Sequence, residues 1–208
     1  MRKVVDYYYS LVSPWTYLGG PRLDEIARRA GAAVDYKPID FGKVFPASGG
    51  LPLAKRAPQR QAYRLVELER WRDFLGVGLN LRPRHFPAPE DLAARVVIAA
   101  KRAGADAGRL SQAILRAVWA EERDVADPGT LRVIAGENGL DGGALLAAAE
   151  TDPVREEYAA NTAEAVERGV FGAPSYVYQG ELFWGQDRLD FLERALAKDP
   201  DRPGAGLA

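Results

Sequence analysis

Apolar and polar positions along the first forty residues predict two strands with a helix between them. Residues 3–9 are rich in β-branched and aromatic side chains and end at Ser10, as in a short buried strand. A second strand is predicted at 33–39, where Pro38 indicates an irregular end to the hydrogen-bond ladder. Because strand–helix–strand connections are right-handed, the two strands should be parallel neighbours.

The helix between these strands should begin at Ser13-Pro14, since serine is a common N-cap and proline suits the first helical position. Its apolar residues follow one face as far as Gly31, which supplies a stop. Gly19-Gly20-Pro21 conflicts with this pattern, because proline removes a hydrogen bond from a helix interior. We therefore expect a broken first helix or a restart near Pro21.

The middle of the chain predicts a long loop followed by a block of helices. Residues 40–58 are rich in Gly, Pro and Lys, which favours a functional loop. Helical spacing at 58–76 ends at a glycine, and 80–89 holds three prolines and forms a connector. Five further segments bounded by Gly, Pro or Asp predict helices at 89–104, 106–123, 127–139, 142–149 and 152–168.

The C-terminal part of the chain returns to strands. Ser175–Tyr178 and Glu181–Trp184 are short apolar runs joined by Gln179-Gly180, which predicts a hairpin. A last helix is predicted at 186–197, and the composition of 198–208 indicates a frayed tail.

This order of elements predicts an α/β fold in which both ends of the chain form one layer. The predicted boundaries are 1–57 with 169–200 for the α/β domain, 58–168 for an inserted helical subdomain, and 201–208 for a tail.

Composition narrows the range of functions. The 208 residues carry 28 Lys+Arg against 29 Asp+Glu, a net charge of -1, so there is no basic surface for nucleic acid. The absence of cysteine excludes disulfides, thiolate metal sites and a cysteine nucleophile. A single histidine, His85, argues against a His-rich metal site or a Ser-His-Asp triad, and we expect no metal.

The N-terminus predicts no export signal, because Asp6 interrupts the apolar region that a signal peptide needs. No apolar run reaches the roughly 18 residues of a membrane helix. The expected compartment is therefore the cytoplasm, with no membrane partner.

The hydroxyl of Ser13 is the first candidate for chemistry, because it follows a strand and begins a helix. Unpaired N–H groups and the helix dipole favour an anion at such a position. A ligand thiol resting there would be stabilised as its reactive thiolate. Since the chain lacks cysteine, a cofactor would have to bring that thiol. The alternative is that Ser13 only caps the helix.

Two more candidates lie near the C-terminus. Pro174 opens a strand and can be cis, which would leave the preceding peptide free to pair with an extended ligand; the alternative is an ordinary trans proline. Residues 183–188 lead into a helix whose first turn holds Gln186 and Asp187, where a charged end of a ligand could bind. Alternatively, Asp187 caps that helix and Arg188 makes a surface ion pair.

Taken together, these motifs resemble the thioredoxin-fold proteins of the DsbA-like superfamily. The chain most resembles its 2-hydroxychromene-2-carboxylate isomerases, relatives of kappa-class glutathione transferases. The resemblance covers residues 3–197 and rests on Ser13-Pro14, a helical insertion, Gly172-Ala173-Pro174 and Trp184-Gly185-Gln186-Asp187-Arg188 in the family's order. It implies a thioredoxin-like fold with an inserted all-helical subdomain. Oxidoreductase members have cysteine where this chain has Ser13, so disulfide exchange by the protein itself is excluded.

The resemblance implies glutathione as cofactor. Ser13 would hydrogen-bond the sulfur of glutathione and favour the thiolate, and Ala173 and cis-Pro174 would pair with its cysteinyl part. The glutamyl end would lie against 184–187, with Asp187 accepting from the ammonium group. The residues implied in cofactor binding are thus Ser13, Ala173, Pro174, Trp184, Gly185, Gln186 and Asp187.

The implied reaction interconverts 2-hydroxychromene-2-carboxylate and trans-o-hydroxybenzylidenepyruvate, or a similar aromatic pyruvate, as in bacterial naphthalene catabolism. The thiolate would add to the conjugated carbon, the resulting single bond would rotate, and elimination would return the thiol.

Departures from the family concern the substrate side. The isomerases have a basic residue near the position of Phe45 and an asparagine near Lys55, so Lys43, Lys55 or Arg56 would have to meet the substrate carboxylate. The family often has an acidic residue where Ser10 stands. The candidate substrate-binding residues are Lys43, Phe45, Lys55, Arg56, His85 and Phe86.

Some aromatic and ionisable residues also have simpler interpretations. His85 could equally be a solvated loop histidine. Trp71 and Trp119 lie at helical spacing among apolar residues and are predicted to belong to the core.

Two alternative functions stay open from the sequence. One is a kappa-type glutathione transferase, in which the thiolate stays bonded to an electrophile. The other is a non-catalytic, peptide-binding member of the superfamily, against which the Arg-rich character of 55–64 argues mildly. A homodimer is implied by the resemblance alone.

Overall fold

A four-stranded mixed sheet forms the centre of the protein, whose computed structural model describes residues 2–198. In sheet order the strands are β2 (Ala33–Pro38), β1 (Val4–Tyr9), β3 (Ser175–Tyr178) and β4 (Glu181–Trp184). β1 and β2 are parallel, whereas β3 is antiparallel to both β1 and β4. The predicted parallel pair and the C-terminal hairpin are therefore confirmed. The turn residues Gln179 and Gly180 both have positive φ, 50° and 82°, as tight hairpins require.

Helices cover both faces of this sheet. Within the described part of the chain they are α1 (Pro14–Ala30), α2 (Phe41–Ser48), α3 (Pro58–Leu75), α4 (Asp91–Arg102), α5 (Ala107–Trp119), α6 (Pro128–Glu137), α7 (Gly142–Ala149), α8 (Asp152–Glu167) and α9 (Leu189–Ala197). Short 3₁₀ turns form at Leu53–Lys55 and Gln186–Arg188. The helical block and the irregular connector at 80–89 agree with the sequence prediction, and the chain has the predicted thioredoxin-like α/β fold. The predicted tail beyond Lys198 lies outside the described residues.

The predicted break in the first helix is wrong, because α1 runs unbroken through Pro21. Proline cannot donate to the carbonyl four residues back, which belongs to Tyr17. The side-chain amide of Gln112 on α5 supplies the missing donor, with Nε2 2.9 Å from the Tyr17 oxygen. Gly20 makes room for this contact, since a Cβ there would lie 2.4 Å from Gln112 Oε1. A residue 91 positions away thus replaces the lost helical hydrogen bond.

The predicted long loop at 40–58 is also partly wrong, since it contains α2. The Asp40 carboxylate caps this helix by accepting from the Gly42 N–H at 2.8 Å. Phe41 and Val44 are buried against the sheet face that carries Tyr8. Burial of that short apolar face stabilises a helix that local composition does not favour.

Alternating side chains of the central strands reach two separate cores. Tyr7 stacks on Tyr9 and on Tyr176, with ring centroids 4.5 and 5.1 Å apart, on the face covered by α1 and the helical block. Trp119 is fully buried in that core, as predicted, whereas Trp71 is half-buried at its margin. This core joins the sheet to the helical block, while the predicted domain boundaries themselves stay a prediction. None of the helices between residues 2 and 198 is long and apolar enough to span a bilayer.

Candidate active site

The loop from β1 into α1 presents the Ser13 hydroxyl. Ser13 is the N-cap of α1, with its backbone extended and its side chain half-buried. Its Oγ accepts from the Thr16 N–H at 3.3 Å. The hydroxyl proton makes no hydrogen bond to the described residues and is available to a ligand acceptor.

Other donors at this end of α1 also lack partners in the part of the chain that the structure describes. The Trp15 N–H has no acceptor, and the buried Thr16 hydroxyl has none either. The first turn of α1 contains no acidic side chain. Free donors and the positive end of the helix dipole favour a bound anion here.

The start of β3 lies directly beside this loop. Tyr8 pairs with Ser175 in antiparallel register, which places Pro174 next to Tyr9 at the end of β1. The Ala173-Pro174 peptide is cis, which is the one of the two alternatives that the family resemblance implies. Among residues 2–198 the Ala173 N–H and C=O have no backbone partner, so this peptide can pair with an extended ligand.

The turn after β4 completes the same edge of the sheet. The Gly185 N–H donates to the Pro174 carbonyl at 2.9 Å. Trp184 packs on Phe171 with ring centroids 4.7 Å apart and lies so close to Gly172 that a Cβ there would meet its indole nitrogen at 2.3 Å. The structure therefore brings the predicted proline, glycine and tryptophan positions together beside the Ser13 loop.

Gln186 and Asp187 differ in their surroundings. Gln186 is buried, and its Oε1 accepts from Arg22 of α1 at 2.9 Å. Asp187 is exposed and pairs with Arg188 at 2.7 Å, the surface ion pair that the sequence offered as an alternative. The Gln186 side chain is therefore already hydrogen-bonded to α1, whereas the Asp187 carboxylate is accessible to a ligand.

The predicted substrate residues form two groups. Lys43 and Lys55 are exposed, whereas Phe45 packs against Phe41 with a centroid distance of 5.3 Å. Arg56 is half-buried and donates to the Leu51 carbonyl at 2.8 Å.

The second group consists of His85 and Phe86 in the connector before α4. Phe86 lies on Trp119 with ring centroids 4.9 Å apart. His85 is half-buried, with Nδ1 3.9 Å from an oxygen of Asp124. His85 is thus placed beside a carboxylate and is less solvated than a free loop histidine.

Glu90 is a neighbour of the site that the sequence did not single out. Its two oxygens accept from the Ser10 hydroxyl at 2.9 Å and from the Leu11 N–H at 2.5 Å, just before Ser13. Burial raises the pKa of this carboxyl to about 7, although the bonds from Ser10 and Leu11 oppose that rise. In sequence Glu90 looks like an ordinary acidic residue at a helix start, so only the tertiary contact identifies it.

Comparisons with known proteins give consistent results. The DSBA-like thioredoxin domain family matches residues 4–197. A 2-hydroxychromene-2-carboxylate isomerase of Sphingobium xenophagum is 34% identical over 197 residues, covering 94% of this chain and 99% of that protein. The enzyme of the same name from Pseudomonas putida is 31% identical over 199 residues, covering 94% and 95%. A solved 2-hydroxychromene-2-carboxylate isomerase superposes with a TM-score of 0.78 at 29% identity, covering 93% of this chain and 94% of that one.

Proposed function

Because this chain belongs to the DSBA-like thioredoxin domain family and, within it, to the 2-hydroxychromene-2-carboxylate isomerases, we propose that it is a glutathione-dependent isomerase. Its substrates would be 2-hydroxychromene-2-carboxylate and trans-o-hydroxybenzylidenepyruvate or similar aromatic pyruvates. The observation that carries the proposal is the Ser13 hydroxyl at the start of α1, near the Ala173 peptide. Within residues 2–198 its proton makes no hydrogen bond, and the Ala173 N–H and C=O have no backbone partner.

The residues of this edge fit a short peptide with a thiol in its middle. The Ala173 N–H and C=O can pair with the cysteinyl backbone, which places the thiol towards Ser13. The exposed carboxylate of Asp187 can accept from the glutamyl ammonium group. Trp184, which packs close to Gly172, and Gly185, which donates to the Pro174 carbonyl, lie between these two contacts along the chain.

Bound glutathione would supply the thiolate that adds to the conjugated carbon, permits rotation and then leaves. Ser13 donates a hydrogen bond to the sulfur and stabilises its charged form. The free Trp15 N–H and the dipole of α1 act in the same direction and lower the pKa of the bound thiol. Glu90 keeps the loop before Ser13 in position through Ser10 and Leu11.

The absence of cysteine supports an isomerase over a disulfide oxidoreductase, because the protein has no sulfur to exchange. Isomerisation needs only positioning and charge stabilisation from the protein when the nucleophile comes with the cofactor. The site provides these through backbone donors and one hydroxyl.

The proposal is tested by adding purified protein and glutathione to 2-hydroxychromene-2-carboxylate and following the ultraviolet spectrum. We expect conversion to the ring-opened pyruvate with glutathione and none with S-methylglutathione, which lacks a free thiol. The product should have the mass of the substrate. A product heavier by one glutathione would instead indicate a kappa-type transferase, and conversion without glutathione would contradict the cofactor.

The proposal also includes a cytoplasmic homodimer, as the family resemblance implies. Sedimentation equilibrium of the purified protein tests the dimer. The measured mass should be twice the 22.7 kDa of one chain.

A further inference from the structure

Arg64 on α3 is a half-buried cation that lies against two aromatic rings. Its guanidinium carbon lies 5.3 Å from the Phe86 ring centroid and 5.6 Å from that of Trp119. Other arginines of α3, such as Arg70 and Arg72, pair with carboxylates on the same helix. Arg64 makes no ion pair with any carboxylate of residues 2–198.

The surroundings of Arg64 add positive charge. Burial, together with the nearby Arg56, lowers the pKa of Arg64 to about 10. Arg56 in turn is half-buried, and burial and Arg60 lower its pKa. The indole N–H of Trp119 also has no acceptor in the described structure. Two neighbouring guanidinium groups that make no ion pair with the described carboxylates are unfavourable in the free protein and favourable for a bound anion.

Two chain segments lead from the neighbourhood of Arg64 towards the Ser13 loop and α1. Phe86, beneath the guanidinium, is four residues before Glu90, a span of at most about 14 Å, and Glu90 binds the Leu11 N–H. On the other side, the Asn80 N–H donates to the Trp119 carbonyl at 2.7 Å.

The same connector then reaches α1. The Tyr17 hydroxyl, one helical turn after Ser13, donates to the Gly78 carbonyl at 2.8 Å. The arginine therefore lies next to segments that touch both the loop before Ser13 and the first turns of α1.

We propose that Arg64, with Arg56 beside it, binds the carboxylate of the substrate and thereby selects aromatic acids. This assignment rests on the proposed function, whose substrate carries a carboxylate on a bicyclic ring. A guanidinium binds a carboxylate through two parallel hydrogen bonds, which fixes the orientation of the acid. Phe86 and Trp119 hold the guanidinium from the aromatic side, with their own ring centroids 4.9 Å apart.

Arg64 was not among the residues that the sequence nominated. Lys43 and Lys55 are exposed and would be largely screened by water, so they are weaker receptors for this group. Arg56 and Phe86 were nominated, and both lie near Arg64.

The test compares the binding of a stable aromatic acid with that of its uncharged amide. Titration calorimetry measures binding of chromone-2-carboxylate and chromone-2-carboxamide to protein saturated with S-methylglutathione. The variants are Arg64→Met, which keeps an unbranched side chain, and Arg64→Lys, which keeps a charge. Arg60→Met is the matched control, because Arg60 is exposed one turn earlier on the same helix. Binding of S-methylglutathione by each variant shows that the fold is intact.

We expect the wild type and Arg60→Met to prefer the carboxylate by roughly 10- to 100-fold. Arg64→Met should lose that preference while keeping its affinity for the carboxamide. Arg64→Lys should keep part of the preference for the carboxylate. The assignment is overturned if Arg64→Met retains the preference or weakens both ligands equally, since equal loss indicates packing alone.

The two proposals fail in different ways. Protein that binds S-methylglutathione but shows no preference for the acid overturns the role of Arg64 and leaves the proposed function standing. Protein that binds no S-methylglutathione, yet prefers the acid through Arg64, overturns the proposed function and supports an aromatic-acid site.

Discussion

Ser13 combines two tasks that separate variants can distinguish. Its Oγ caps α1 through the Thr16 N–H, and its proton is free for a ligand. Replacing Ser13 with Ala should lower the isomerisation rate by about tenfold or more, because one hydrogen bond to a charged sulfur contributes about 1.5–3 kcal/mol. The measurement is the initial rate at saturating glutathione, with circular dichroism as the check on folding.

Asp127→Ala is the matched control for the loss of a cap, because Asp127 caps α6 through the Thr130 N–H at 2.7 Å. Each variant should lose about 1 kcal/mol of unfolding free energy. Only Ser13→Ala should lose activity. Equal rates in the two variants would mean that Ser13 is merely a cap.

Asp187 should act on cofactor affinity and not on the rate. Its carboxylate is exposed and pairs with the neighbouring Arg188. Asp187→Asn should weaken glutathione binding severalfold while the rate at saturation stays close to that of the wild type. Initial rates across a range of glutathione concentrations separate the two parameters, with Asp190→Asn, another exposed acid near this turn, as the control. A lower saturated rate with unchanged affinity would contradict the assignment.

Glu90 should make stability depend on pH near neutrality. Its folded-state pKa of about 7 lies above the ordinary value of 4.5, so the folded protein holds the proton more tightly than the unfolded chain. Its contribution therefore becomes less favourable as the pH rises from about 4.5 to 7, with a slope of at most about 1.4 kcal/mol per pH unit. Glu90→Gln mimics the neutral carboxyl and should remove this decline.

Urea unfolding between pH 4.5 and 8 measures the effect. Glu156→Gln is the control, since Glu156 is exposed and should leave the wild-type pH dependence unchanged. If the free energy of unfolding changes with pH in the same way for the wild type and Glu90→Gln, the pKa of Glu90 is not raised in the folded protein and the prediction is wrong.

Among the elements, α1 shows best where local sequence rules succeed and where they fail. Its start at Ser13-Pro14 and its end at Gly31 were predictable, because caps act within one turn. Its passage through Pro21 was not, because the compensating donor comes from Gln112 on a distant helix. The short helix α2 is similar, since the burial of Phe41 and Val44 depends on the sheet beneath them.

Gln112 and Pro21 should therefore be energetically coupled. Gln112→Ala leaves the Tyr17 carbonyl unpaired and should lower the unfolding free energy by about 1–3 kcal/mol. In a Pro21→Ala background the backbone N–H of residue 21 can donate to this carbonyl. Gln112→Ala should then lower the unfolding free energy by less. A double-mutant cycle by urea unfolding gives the coupling. Additive effects of the two substitutions would mean that Gln112 does not replace the helical hydrogen bond.

For the molecule as a whole, the sheet register assembles a site from distant parts of the chain. Tyr8 opposite Ser175, and Ser175 opposite Trp184, bring together three motifs that the sequence could nominate but not place. Two residues of the helical block, Glu90 beside the Ser13 loop and Arg64 in the proposed substrate site, carry no local signal. Glu90 is identified by its hydrogen bonds to the Ser13 loop, and Arg64 by partial burial without an ion pair to the described residues. Both features depend on the complete fold.

The most direct test of the proposed chemistry is the ionisation of bound glutathione. Thiolate absorbance is followed from pH 5 to 10 with the wild type and with Ser13→Ala, each in excess over glutathione. We predict that the wild type lowers the pKa of the thiol clearly below its value in free glutathione and that Ser13→Ala largely restores that value. An unshifted titration in the presence of the wild type, with glutathione shown to be bound, would contradict activation of the thiol by Ser13 and α1.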